Sequence, residues 1–156
     1  MFIRHILFLT LLLSLLTTTW PMHGMEDFKA STHHDELNYS MSELKDTIRN
    51  IQSKADINSY LGMKHEVVRG DMYNNVVWRF DLGSQPTYQF VSENDSIDME
   101  GLQERTLKYI VFLSFGGDEE TIISKSIYYC DENGAIHEVK YIENIERENI
   151  ILPPSK

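Results

Sequence analysis

Residues 48–82, IRNIQSKADINSYLGMKHEVVRGDMYNNVVWRFDL, decide how the chain is read. They hold the end of one helix, a short second helix, a glycine stop and an apolar strand carrying Trp78. Ser53 stands at an N-cap position, and Asp56 three residues on favours the positive end of a helix. Ile57, Tyr60 and Leu61 make the apolar face of that helix. Gly62 can take the left-handed conformation that ends it without a Cβ penalty. After a turn at Arg69-Gly70-Asp71, Val76, Trp78 and Phe80 alternate with Val77, Arg79 and Asp81, the period-two pattern of a strand.

Upstream, Ser40 and Glu43 have the spacing of a capping box, in which each side chain satisfies a backbone donor of the first turn. Met41, Leu44, Ile48 and Ile51 then form one apolar stripe, predicting an amphipathic helix. Two short helices with almost no linker need a common surface, and the strand face bearing Trp78 is expected to supply it. On that reading Trp78→Ala is the most damaging single change, costing about 3–5 kcal/mol.

Downstream, residues 83–106 read as an insertion, with Gly83, Pro86, Gly101, the aromatic run Tyr88-Gln89-Phe90-Val91 and the acidic tract ENDSIDMEG. Asp95, Asp98 and Glu100 lack the D-x-D-x-D-G order of a calcium loop, so they read as solvated acids, and no metal or cofactor is expected. LKYIVFLSF at 107–115 is apolar on both faces and predicts a central strand. Residues 121–130 and 135–142 predict two further strands, joined by Asp131-Glu132-Asn133-Gly134, whose Asn-Gly pair suits a tight hairpin. His137 reads as a strand residue. The segment from 146 to 156, with Pro153-Pro154, reads as a loose tail.

The N-terminus has a different character. Arg4 precedes the uncharged apolar run ILFLTLLLSLL at 6–16, a secretory signal pattern shorter than a membrane span. Residues 1–24 are therefore expected to be a signal peptide. Residues 25–39 read as a flexible lead-in, in which His33, His34 and Asp35 are solvated, and residues 40–145 as one α+β domain. The formal charge of the 156-residue chain is −10, and removing the leader takes away Arg4 and no acid. Such a surface repels phosphate backbones and anionic headgroups, so nucleic acid and lipid are poor partners. The lone Cys130 forms no internal disulfide, leaving the apolar core to carry stability.

The sequence contains no phosphate loop, nucleophile elbow, H-E-x-x-H or paired-cysteine site. What it does carry is an order of elements. The helix–helix unit IQSKADINSYLG at 51–62, then His65-Glu66-Val67, Trp78 and Phe80, and the hairpin IYYCDENGAI at 127–136, resemble the small outer-membrane assembly lipoproteins of the SmpA/OmlA (BamE-like) group. Gln52, Met63-Lys64, the long insertion and the missing lipid-acceptor cysteine depart from that pattern. The resemblance implies two N-terminal helices packed on a three- to four-stranded antiparallel sheet. It also implies a non-catalytic, periplasmic or secreted module that binds a protein partner in the cell envelope, as an accessory in outer-membrane protein assembly. The alternative is a secreted inhibitor of a hydrolase, of the β-lactamase-inhibitor-like kind. Tyr88, Phe90, Asp95, Asp98 and Glu100 are the candidate interaction residues.

Overall fold

The computed structural model describes residues 39–62, 64–143 and 145–154, all within the compact unit His34–Lys156. The expected leader at 1–24, the lead-in up to residue 38 and the histidine pair within it lie outside the described residues.

Both helix starts form as their sequences dictate. In α1 (Met41–Asn50) the Ser40 hydroxyl accepts from the Glu43 N–H, while the Glu43 carboxylate accepts from the Ser40 N–H at 2.9 Å. In α2 (Lys54–Tyr60) Ser53 and Asp56 make the same reciprocal pair, so each first turn has two donors satisfied by side chains. Gly62 follows α2 with φ of +77°. At the other end of α1, the buried Lys125 ammonium donates to the carbonyls of Arg49 and Ile51 at 2.9 and 2.8 Å, a cation on the negative end of the helix. Its burial pushes the Lys125 pKa down.

The strands are β1 (Glu66–Arg69), β2 (Val76–Leu82), β3 (Tyr109–Phe115), β4 (Ile122–Cys130), β5 (Ile136–Ile142) and β6 (Ile145–Leu152). They form one antiparallel sheet in sequential order, β1-β2-β3-β4-β5-β6. The expectation of two helices on a three- or four-stranded sheet is therefore corrected: the sheet has six strands, and the helices beside it are short. The two additional strands lie at the edges, where too few residues are buried to leave an alternating pattern. β1 has four residues, of which only Val68 is buried. β6 occupies most of what reads as a loose tail. Its helix-side positions are Glu146 and Glu148, paired with Lys45 and Arg49 of α1, so the strand lacks an apolar face.

Because side chains alternate across a strand, β3 feeds two separate cores. Val111, Leu113 and Phe115 join Leu44 and Ile48 of α1, Ile57 and Leu61 beside α2, and Phe80 of β2. Tyr60, expected with Ile57 and Leu61, is exposed. On the opposite face Ile110 and Phe112 meet Val77, Leu102 and Leu107. Much of that second core comes from the segment between β2 and β3, which includes α3 (Met99–Gln103). The presumed insertion is thus a strap that covers the back of the sheet.

Trp78 is half-buried. It stacks on His65 at 4.0 Å between ring centroids, tilts against Phe115 at 5.1 Å, and lies under the Lys54 ammonium at 5.5 Å. Phe80, two residues on, is only 1% exposed. The buried centre of β2 is therefore Phe80, with Trp78 near its rim.

Candidate interaction surface

Four of the five candidate residues are half-buried and have partners within the domain. Tyr88 donates its phenolic hydrogen to Asp98 at 2.9 Å and accepts from Arg79 at 3.5 Å. Burial, followed by the Asp81 charge, pushes the Tyr88 pKa up. The Phe90 ring lies 4.4 Å from the Arg79 guanidinium carbon. Asp98 caps α3 by accepting from the Gly101 N–H at 2.8 Å. A Cβ on Gly101 would sit 2.3 Å from that carboxylate and 2.7 Å from Leu107, so the close approach requires glycine. Asp95 accepts from the Asp71 N–H at 3.0 Å. Glu100 is exposed.

These bonds converge on Arg79, whose side chain has no exposed surface. It donates to Asp81 at 2.9 Å and to the Ser96 carbonyl at 2.8 Å, and it packs against Phe90 and Phe112. Burial raises the pKa of Asp81 and the Arg79 charge opposes that rise. Sequence alternation places Arg79 opposite Trp78 but gives no sign that a strap covers it. The signal that existed was the aromatic run at 88–91, since a buried guanidinium needs flat apolar partners as well as acceptors.

The strap also pairs with one end of the edge strand β1. Asn94 makes a parallel bridge with Arg69 of β1. The Arg69 N–H donates to the Glu93 carbonyl at 3.2 Å, and the Asp95 N–H donates to the Arg69 carbonyl at 3.1 Å.

Next to that pairing, the β1–β2 turn presents the most conspicuous apolar surface on the described residues. Met72 and Tyr73 are 80% and 77% exposed, yet the backbone beneath them is fixed. Gly70 donates to Asn75 at 2.9 Å, Asn74 donates to Gly70 at 2.8 Å, and Asp71 is held by Asp95. The Asn75 amide donates to the Phe115 carbonyl at 3.0 Å. A groove of about 320 Å³ runs beside the turn, lined by Arg69, Tyr73, Val76, Phe115, Glu119 and Ile123. Ile123, Ile142 and Ile145 are also exposed, at the same end of the sheet, because Val77, Ser114 and Ser124 share one register row that leads to them. Sequence reasoning saw here only a turn, although Met and Tyr between Asp71 and Asn74 are costly to leave in water.

The largest titratable cluster is elsewhere. His137 stacks on Tyr129 at 4.8 Å, with Nε2 3.1 Å from Asp131 and Nδ1 3.7 Å from Glu148. Glu148 also accepts from Tyr129 and Lys45, at 2.6 and 2.7 Å. These bonds join the β4–β5 turn, β6 and α1. Cys130 packs on the opposite face of the sheet, against the second core, and burial raises the pKa of its thiol. Among the described residues no group of three or more His, Cys, Asp or Glu side chains is arranged to hold a metal. No helix there is long and apolar enough to cross a membrane.

Comparison with known proteins identifies no relative: no family model matches the chain, and neither a characterised protein nor a solved structure does.

Proposed function

We propose that the domain is a non-catalytic protein-interaction module of the cell envelope that engages its partner through the β1–β2 turn. The observation that carries this reading is the pairing of two strongly exposed apolar side chains, Met72 and Tyr73, with a turn whose backbone is already bonded in place. Binding then orders two side chains and little backbone, which keeps its entropic cost low. Tyr and Met are also residue types enriched at the centres of interfaces. The apolar run behind Arg4 supports the envelope setting. The six-stranded sheet departs from the arrangement that the BamE-like resemblance implies, so the role is stated as binding of an envelope protein rather than as a step in outer-membrane assembly.

The test is capture from envelope extract with the wild-type chain and with Met72→Asp/Tyr73→Asp in parallel. A discrete partner held by the wild type and lost by the variant, at unchanged thermal stability, is the expected result. Equal recovery by both would refute the reading. A rigid projecting turn also suits the inhibitor alternative, since such turns can enter enzyme clefts. In that case the purified protein slows a cell-wall hydrolase such as lysozyme, and the same double variant does not. Failure to slow any envelope hydrolase removes the alternative.

A further inference from the structure

The two edges of the sheet are treated differently. At β1, a strand of four residues, the strap pairs with the last of them, Arg69. At β6 no described residue pairs with the outer side of an eight-residue strand, so every second residue there directs its N–H and C=O away from the sheet. On its helix side, the charges of β6 are matched by Lys45 and Arg49. On the other face they are not. Arg147 stands directly opposite Lys140 of β5, and like charges in that position repel. Neither cation has a hydrogen bond or ion pair among the described residues, in a chain with 24 acids against 14 lysines and arginines. The nearest acid on that face, Glu138, accepts instead from the Tyr128 hydroxyl at 2.6 Å. Exposed Ile142 and Ile145 flank the pair.

We propose that the free edge of β6 takes up an extended acidic segment of a protein partner as a seventh strand, with a carboxylate of that segment set against Arg147 and Lys140. Main-chain bonds supply the affinity of such strand addition and side-chain complementarity its selectivity. A second copy of this chain is a poor occupant in the registers centred on the charged half of the strand. Two-fold pairing centred on Arg147 opposes arginine to arginine, and pairing centred on Glu148 opposes glutamate to glutamate. The inference is independent of the Met72–Tyr73 turn, which belongs to the opposite half of the sheet.

The experiment uses the full chain and a capped seven-residue peptide of alternating threonine and glutamate, with a lysine-for-glutamate peptide as control. Amide signals and hydrogen exchange are followed by NMR. In the free protein the outward amides of residues 145–152 exchange fast. The acidic peptide shifts and protects them, while the lysine peptide binds at least ten-fold more weakly. Lys140→Glu/Arg147→Glu reverses the preference. A peptide N-methylated at alternate residues, which cannot donate to the edge, fails to bind. Equal binding of both peptides, shifts centred elsewhere, or no binding would overturn the proposal. So would outward amides already protected in the free chain, or a dimer that forms through β6.

Discussion

Arg79 is the residue on which the back of the sheet turns. Its charge is removed from water and answered by Asp81, the Ser96 carbonyl and two aromatic rings. Replacing one partner of such a buried pair leaves the other uncompensated and costs about 3–5 kcal/mol. Arg79→Met should therefore destabilise the domain in chemical denaturation and speed hydrogen exchange in residues 88–98, with α1 and α2 unaffected locally. Unchanged exchange in the strap would mean that Arg79 does not anchor it. The other informative residues are Trp78 and Phe80. Phe80→Ala empties a fully enclosed site and should cost about 3–5 kcal/mol, whereas Trp78→Ala, at the rim, should cost clearly less. Urea unfolding of the two variants decides the order. Period-two alternation identified the inward face of β2 but ranked its members by size. Which of them is enclosed depends on where His65 and Lys54 arrive, and nothing within residues 76–82 encodes that.

At the scale of elements, the parts that read clearly from sequence are those with local causes. Ser40 with Glu43 and Ser53 with Asp56 carry their own backbone chemistry and form, and the β4–β5 hairpin turns at Asn133-Gly134, with Gly134 but not Asn133 at positive φ. β6 did not read as a strand because its stability is non-local: its helix-side residues are glutamates answered from α1, about a hundred positions earlier in the chain. The internal bonds of the candidate interaction residues were illegible for a related reason. An acidic or aromatic loop side chain looks free until the sheet beneath it supplies Arg79 or an open edge. The same charges set a pH response. The bond from Arg49 lowers the Glu146 pKa, the bonds from Lys45 and Tyr129 lower that of Glu148, and the bond to His137 lowers that of Asp131. Bonds from Thr121 hold Asp118 down at about 2. A carboxylate with a depressed folded pKa contributes stability that is complete above its unfolded value, about 4, and is lost as pH falls through the folded one. Asp81 acts in the opposite sense, because its raised pKa favours the folded state as the solution becomes more acidic. The capping bonds lower Glu43 and Asp56 as well, so six lowered carboxylates outweigh one raised one, and the thermal midpoint should fall steadily between pH 5 and pH 2. Glu146→Gln/Glu148→Gln should lower the midpoint by a few degrees at pH 7 and flatten its fall with acid. A variant that keeps the full acid slope would show that the α1–β6 pairs contribute little.

At the scale of the whole molecule, an acidic domain turns the stabilised β1–β2 turn outward and, among the described residues, leaves the outer side of β6 without a paired strand. Fold and charge alone fix no partner, so the account rests on which surface is occupied in the cell. The most direct test places a photo-reactive benzoylphenylalanine at position 73 of the full chain, made in the cells that normally produce it. A matched variant carries the group at position 132, in the exposed β4–β5 turn at the opposite end of the sheet. The account predicts that irradiation joins the position-73 variant to one discrete protein and leaves the position-132 variant unlinked. An equal pattern from both positions, or cross-links from position 132 alone, would contradict it.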